Sequence, residues 1–216
     1  TERKLIERQL ERSASELKTK NDVLENDLVM ARELQQAFVL TDLPTHPQGI
    51  HPNESHVQFG RIYIPSGAVG GDYIDIRRIS KHKIGVFMGD VSGHGLRAAL
   101  VVSSIRGLLE QLSSTAEKPG EFITKLNKQF SSIFRIKERF MFVSCFYCVL
   151  DFKDKQIYFT NAGHPPPYII NTEDATVSSL NSADDIHFPA VGLTPDTVFE
   201  TRSYPMQEND LLFLYT

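Results

Sequence analysis

Two acidic side chains stand at the ends of predicted strands, beside turns rich in glycine. Asp72 follows Gly70 and Gly71, and Asp90 ends the apolar run 84–88. A carboxylate at a strand end, next to a backbone that can offer carbonyl oxygens, supplies the ligands that Mg²⁺ and Mn²⁺ prefer. An Asp beside Gly is also a common turn residue. Each acid alone is therefore ambiguous, and the matched placement of the two favours a cation site.

Two further turns carry histidines that could contact a substrate. Gly93-His94-Gly95 opens a predicted helix, so its backbone could cradle a phosphate, although it lacks the Lys-Ser/Thr of a P-loop. Asn161 and His164 lie in a turn that follows a predicted strand. A rigid strand-to-strand connection is the plainer interpretation of this second turn.

Other residues with chemical potential are predicted to be structural. Cys145 and Cys148 lie three apart in one predicted strand, so they point to opposite faces and do not form a metal pair. Asp75 faces away from Asp72 by the same argument. Three histidines in the proline-rich loop 44–56 are spaced by five, but nothing in the sequence fixes their directions, and we do not predict a metal cluster there.

The elements that position these residues alternate between short strands and a pair of helices. The helices are predicted at 96–114 and 119–135. The strands, rich in Val, Ile, Phe and Tyr and bounded by Gly, Pro, Asn and Asp, are predicted at 57–64, 73–79, 83–90, 141–151, 155–161, 166–171, 197–204 and 211–215. Runs of strands with a helical pair between them favour an α+β layered fold with mainly antiparallel sheets.

Residues 1–40 differ from the rest of the chain. Leu10, Leu17 and Leu24 recur every seven residues, with Leu28 and the polar Asn21 in the companion row. This pattern predicts a long helix that dimerises as a coiled coil, and a core Asn commonly fixes register. The alternative is an amphipathic helix that packs on its own domain.

Composition limits the function classes. The chain has 216 residues and a formal net charge of −4, so there is no basic field for nucleic acid. No apolar run is long enough to span a membrane, and we expect no signal peptide and no direct membrane contact. Two cysteines do not make a disulfide framework, which favours a reducing, cytoplasmic location.

Four motifs together resemble the SpoIIE/RsbU-like branch of the metal-dependent protein phosphatases, the PPM or type 2C superfamily. They are GGDYIDI, GDVSGHG, NAGHPP and the terminal LLFLYT, in family-like order and spacing. The resemblance covers about residues 30–216. It implies a four-layer α-β-β-α sandwich at 41–216, preceded by a coiled-coil signalling helix at 1–40.

The resemblance also implies roles for individual residues. Asp90 matches the carboxylate that bridges two Mn²⁺ or Mg²⁺ ions, Val91 offers a main-chain carbonyl, and Asp72 joins the same centre. We expect Asp72 and Asp90 to be the catalytic residues. The residues expected to bind substrate are Gly93, His94, Asn161 and His164.

The family's sequence continues from LLFLYT into an Asp-Gly turn whose Asp is a metal ligand, whereas this sequence stops at Thr216. On that basis we expect a C-terminally incomplete domain. We also expect the 216-residue chain alone to be catalytically silent and to hold at most one poorly coordinated ion near Asp90.

The implied reaction is hydrolysis of phosphoserine or phosphothreonine on a regulatory partner. The resemblance favours a phosphorylated STAS-domain anti-anti-sigma factor in a bacterial partner-switching pathway. We further expect a homodimer through residues 5–38 and a sensor domain upstream. The alternative is a non-catalytic, phosphatase-like module that binds the STAS partner without hydrolysis.

Overall fold

The computed structural model describes residues 2–39, 43–64, 69–136, 139–180 and 187–216. The helices are α1 (Glu2–Val39), α2 (Leu96–Gln111) and α3 (Pro119–Phe134), with short 3₁₀ turns at Pro52–Glu54 and Ser113–Thr115. The strands are β1 (Asp72–Ser80), β2 (Lys83–Val91), β3 (Arg135–Ile136), β4 (Arg139–Phe140), β5 (Val143–Asp151), β6 (Gln156–Ala162), β7 (Tyr168–Asn171), β8 (Thr176–Ser179), β9 (Arg202–Pro205) and β10 (Asp210–Phe213).

Two antiparallel sheets form the framework. The larger has five strands in the order β1-β2-β5-β6-β9, and the smaller has three in the order β10-β7-β8. β3 and β4 form a separate pair. Tight turns join β1 to β2 and β5 to β6. The three longest strands, β1, β2 and β5, lie side by side because β2 also pairs with β5. Their side chains alternate between the two faces of this sheet.

One face of the larger sheet is covered by α2 and α3. The core there contains Phe87 and Tyr147 from the sheet, and Phe122, Leu126 and Phe130 from α3. The spacing of four between these α3 residues places them along one side of the helix. Helix α3 is therefore held to the sheet by its aromatic and leucine side chains.

The opposite face of the larger sheet packs towards the three-stranded sheet. The core between the sheets contains Val86, Phe146 and Cys148 on one side and Ile169 on the other. Cys145 instead lies in the helix-facing core. Both cysteines are free and buried, as predicted from their spacing in a strand, and burial raises the pKa of the Cys148 thiol to about 12.

The predicted fold class is confirmed, with a long N-terminal helix, a helical pair and two antiparallel sheets. The residues that the structure describes supply three of the expected layers: the α2–α3 pair, the five-stranded sheet and the three-stranded sheet. Among the described helices, none is long and apolar enough to cross a membrane.

Two predicted strands need correction. The segment 57–64 has alternating exposure, with Val57 and Phe59 packed on the inter-sheet core, but it belongs to no described sheet. A period of two shows that a chain is extended and half-buried, whereas a strand also needs a hydrogen-bonding partner.

The strand predicted at 197–204 is reduced to Arg202–Pro205. The residues before it are bound to the start of α3 instead. The Phe199 amide donates to Thr124 Oγ1 at 2.9 Å, and the Gly120 amide donates to Thr201 Oγ1 at 2.9 Å. The short strand β8 was not predicted, because all four of its residues are exposed and it has little apolar pattern.

Candidate metal centre

Asp72 and Asp90 lie directly opposite each other on the neighbouring antiparallel strands β1 and β2. Directly opposed residues share a face of the sheet. That face is the one turned towards the three-stranded sheet, because Val86 and Ile76 on the same strands belong to the inter-sheet core. The structure therefore brings the two predicted acids together at one end of the larger sheet.

Gly71 allows the backbone beside this acid pair to approach closely. A Cβ atom at position 71 would lie 2.7 Å from the Val91 carbonyl oxygen and 3.1 Å from Asp90 Oδ1. The Val91 amide donates to the Gly71 carbonyl at 3.1 Å, which fixes the two backbones against each other. A carboxylate oxygen and a carbonyl oxygen thus converge on a position where only glycine fits.

The electrostatics at Asp90 are those of a site that attracts cations. Partial burial of its carboxylate and the nearby charge of Asp72 raise the pKa of Asp90, although the residue remains accessible to solvent. Two like charges held at one place favour either a proton or a cation between them.

Tyr63 adds a polar group that the sequence did not single out. Its hydroxyl is buried and has no hydrogen-bond partner among the described residues. Burial and the charge of Asp72 raise the pKa of this phenol. Its position close to Asp72 makes it a neighbour of the acid pair.

Ser144 connects the acid pair to the second predicted turn. It lies opposite Asp90 on β5, and its Oγ is 3.1 Å from His164 Nδ1. The His164 amide donates to Asn161 Oδ1 at 2.8 Å, and Asn161 Nδ2 donates to the His164 carbonyl at 3.0 Å. The row Asp72, Asp90, Ser144 and His164 therefore crosses the sheet, with Asn161 holding the last turn in shape.

His164 is neutral in this position. The residue is buried, and burial lowers the pKa of the imidazole to about 4, with the main chain of Tyr215 and of Ser144 partly opposing the shift. Its Nε2 is buried as well. A neutral imidazole of this kind orients neighbours without adding a positive charge to the site.

The loop after Asp90 is exposed and depends on two glycines. Gly93 and Gly95 have φ values of 97° and 73°, in the region that favours glycine. Ser92 anchors the loop: its amide donates to the Phe142 carbonyl at 2.9 Å, and its Oγ accepts from the Phe142 amide at 3.0 Å. His94 is exposed between the two glycines, at the N-terminus of α2.

A cavity of about 200 Å³ adjoins the His164 turn. Asn161, His164 and Gly163 line one side, and Glu200 and Arg202 are among the residues that complete it. The cavity places polar groups of both signs beside the turn predicted to contact substrate.

Asp75 lies outside the site. Its carboxylate accepts from Arg77 Nε, and Arg77 also pairs with Glu110 at 2.8 Å on α2. This network lies on the helix-facing side of β1, as the alternation of the strand requires.

The donor set fits a hard cation, although it is small. Asp72, Asp90 and the Val91 carbonyl are all oxygen donors, which Mg²⁺ and Mn²⁺ prefer while keeping several waters. Across the residues that the structure describes, no group of three or more His, Cys, Asp or Glu side chains is placed to hold a metal ion.

Sequence reasoning missed Ser144 and Tyr63. Neither belongs to a motif, and both become visible only through the pairing of β2 with β5 and the path of the segment before β1. Only the strand register, which the sequence does not give, places Ser144 opposite Asp90.

The fold is that of the PP2C-type phosphatase domains. The SiaA-PP2C domain of Pseudomonas aeruginosa superposes with a TM-score of 0.68 at 19% identity, over 90% of this chain and 72% of that chain. The phosphatase domain of SpoIIE from Bacillus subtilis, solved with a fragment of its regulatory domain, gives a TM-score of 0.55 at 21% identity, over 68% of this chain and 40% of that one.

The family follows from the sequence match. The family model described as Stage II sporulation protein E (SpoIIE) matches residues 80–216. The chain belongs to the SpoIIE family, which confirms the resemblance seen in its four motifs.

Curated relatives are named as phosphatases. The chain is 28% identical over 161 residues to the phosphoserine phosphatase RsbP of Bacillus subtilis, covering 74% of this chain and 39% of RsbP. It is 23% identical over 193 residues to the phosphoserine phosphatase RsbU of the same organism, covering 89% of this chain and 53% of RsbU. The chain thus spans about half or less of the length of these relatives.

Proposed function

We propose that this chain carries the catalytic centre of a metal-dependent protein serine/threonine phosphatase. The observation that carries the proposal is the opposed pair Asp72 and Asp90, with the Val91 carbonyl oxygen and Asp90 Oδ1 both close to Gly71. Membership of the SpoIIE family and similarity to two named phosphoserine phosphatases support it.

The residues of the site divide into a cation-holding group and a substrate-facing group. Asp90, Asp72 and the Val91 carbonyl would hold Mn²⁺ or Mg²⁺, with two ions expected in the complete centre. Bound cations would supply the positive charge that activates water and neutralises the transferring phosphoryl group. Asp90 would help to hold both ions, which is why we assign it the larger role.

The substrate-facing groups surround the acid pair. Gly93 and His94 present an exposed loop at the N-terminus of α2, where backbone amides favour an anion. Asn161 and His164 form the turn on the other side of Ser144. We propose that the phosphorylated segment of the substrate lies between this loop and this turn.

The substrate that we propose is a serine-phosphorylated STAS-domain protein in a bacterial partner-switching pathway, acting in the cytoplasm. The similarity to RsbU and RsbP supports this choice. A solved structure described as the RsbU and RsbW domains of Rv1364c from Mycobacterium tuberculosis also shares the fold, with a TM-score of 0.54 at 25% identity, over 67% of this chain and 38% of that one.

We also propose that residues 5–38 form a parallel homodimer that conveys a signal from an upstream sensor domain. The seam residues Leu10, Leu17 and Leu24 are 65%, 63% and 59% exposed in the single chain. Leu28 is half-buried, and α1 contacts α2 and β1. Among the seam side chains that the structure describes, these three leucines have little cover within their own chain, which favours a partner helix.

The experiment measures phosphate release by the full-length protein from a serine-phosphorylated STAS-domain protein encoded in the same genome. We expect phosphate release that needs Mn²⁺ or Mg²⁺ and stops when a chelator is added, because the proposed mechanism uses the bound cations to activate water. Binding of the phosphoprotein without phosphate release at any Mn²⁺ concentration would support the non-catalytic alternative and contradict the proposal.

A further inference from the structure

Three histidines meet at the end of the larger sheet opposite to the acid pair. His46 belongs to the segment 43–57 that follows α1, here called the linker. Its ring centroid lies 5.9 Å from that of His56 and 6.0 Å from that of His82, in edge-on geometry. His82 lies in the β1–β2 turn, so the cluster joins the linker to the sheet.

The stacked His46 ring and Arg78 connect the linker to the sheet, and two hydrogen bonds within the linker hold its shape. The His46 ring stacks on Phe152, in the β5–β6 turn, with centroids 4.1 Å apart and planes 13° apart. The His46 amide donates to Ser55 Oγ at 2.9 Å, and the His56 amide donates to the His46 carbonyl at 2.7 Å. Arg78 on β1 donates to the Thr45 carbonyl.

The surroundings of His46 disfavour a positive charge. The residue is 8% exposed, and its Nδ1 is buried without a hydrogen-bond partner among the described residues. Burial lowers the pKa of His46, and His56, Arg78 and His82 lower it further.

Among the residues that the structure describes, no carboxylate forms an ion pair with His46, His56, His82 or Arg78. The ion pairs of the described residues do not include His46. Asp151, next to Phe152 in the chain, is bound by Lys83 Nζ at 3.6 Å and by the Lys153 amide at 3.0 Å. Phe152 itself contributes no charge. Among the described residues, the charged and titratable groups that act on His46 are His56, Arg78 and His82, and all three are bases.

We propose that His46, His56 and His82 form a proton-sensitive latch, which holds the linker on the sheet at neutral pH and releases it in mildly acidic conditions. The latch lies roughly 25 Å along the strands from the acid pair. It controls the segment that joins α1 to the rest of the chain. The proposal does not depend on the phosphatase activity.

The direction of the pH effect follows from linkage. The pKa of His46 is lowered in the docked linker from an ordinary value of 6.5. The released linker therefore binds the proton more readily. Docking is unaffected well above pH 6.5 and weakens as the pH falls below it. At about pH 5.5, one such proton shifts the equilibrium towards release, by at most about tenfold.

Amide hydrogen exchange of the full-length protein tests the latch. We expect the protection factors of the amides of His46 and His56 to fall, by up to about tenfold, between about pH 7.5 and pH 5.5, because the hydrogen bonds within the linker lose the cover of Phe152 and the sheet when the linker is released. The amides of β2 and β5 serve as the internal reference, since they report global unfolding.

Two variants separate proton binding from packing. His46→Phe keeps the stacking on Phe152 and the backbone bonds but cannot be protonated, so linker protection should no longer depend on pH. The double variant His56→Asn with His82→Asn leaves His46 intact and removes two of the three neighbouring bases. The dependence of linker protection on pH should therefore become smaller. This second variant decides the question if His46→Phe fails to fold.

His51→Asn is the matched control. His51 is exposed in the same linker, and its Nδ1 accepts from the Asn53 amide at 3.3 Å, which an Asn side chain can replace. The control should respond to pH like the wild type. Linker protection in the wild type that does not change with pH would overturn the latch. So would a response in the His46→Phe and double variants equal to that of the wild type.

Discussion

At the scale of single residues, the centre depends on how closely oxygen atoms approach one another. Asp72 and Asp90 provide the charges, but Gly71 allows Asp90 Oδ1 and the Val91 carbonyl oxygen to come close to the same point of the backbone. His164 contributes in a different way, because burial keeps it neutral while it contacts Ser144. The row of residues thus carries carboxylates at Asp72 and Asp90 and uncharged groups at Ser144 and His164.

Gly71→Ala tests the importance of this close approach. The added methyl would sit 2.7 Å from the Val91 oxygen, so the Val91 backbone or Asp90 must move. We expect Mn²⁺ affinity, measured by calorimetric titration, to fall by about tenfold or more, with a loss of about 1–3 kcal/mol in the free energy of unfolding.

Gly60→Ala is the control for this substitution. Gly60 is exposed, and a Cβ there meets no atom within 4 Å. It should leave Mn²⁺ affinity unchanged. If Gly71→Ala binds Mn²⁺ as tightly as the control, the space beside Asp90 is not part of the cation site.

At the scale of elements, the register of β1, β2 and β5 assembles the centre. The sequence predicted these strands from apolar runs, and it predicted that Asp72 and Asp90 stand at strand ends. It could not give the register that places Ser144 opposite Asp90, because a period of two fixes only which face a residue occupies. β8 was missed for a related reason, since an exposed polar strand carries little pattern.

The dimer proposed for helix α1 can be tested by a substitution in its leucine row. Leu17 is 63% exposed on the apolar row. Leu17→Glu would remove one leucine from each helix of a dimer, at about 2 kcal/mol per side chain. We therefore expect the dimer to weaken by roughly a hundredfold or more. Analytical ultracentrifugation measures the change.

Thr19→Glu is the matched control, because it introduces the same charge at an exposed position outside the seam rows. The control should sediment as a dimer, like the wild type. A wild-type protein that is monomeric at high micromolar concentration would instead show that the leucine row does not pair two copies.

At the scale of the whole molecule, the two ends of the larger sheet carry different groups of residues. One end carries the acid pair and the turns beside it, and the other carries the histidine cluster that holds the linker. The helical pair α2–α3 covers one face of the same sheet, and α2 begins directly after the loop that contains His94. The layered fold and the two acids were accessible from sequence. The histidine cluster was not, because His82 joins it from another turn.

Turnover of the serine-phosphorylated substrate by Asp90→Asn, compared with wild type and with Asp154→Asn, tests the central claim most directly. An amide keeps the shape of Asp90 but lacks the charge that holds cations together, so kcat should fall on the order of 100- to 1,000-fold with folding retained. Asp154, an exposed acid in the β5–β6 turn at the other end of the sheet, should be replaceable without effect. Mn²⁺-dependent turnover by Asp90→Asn equal to that of wild type would contradict the account.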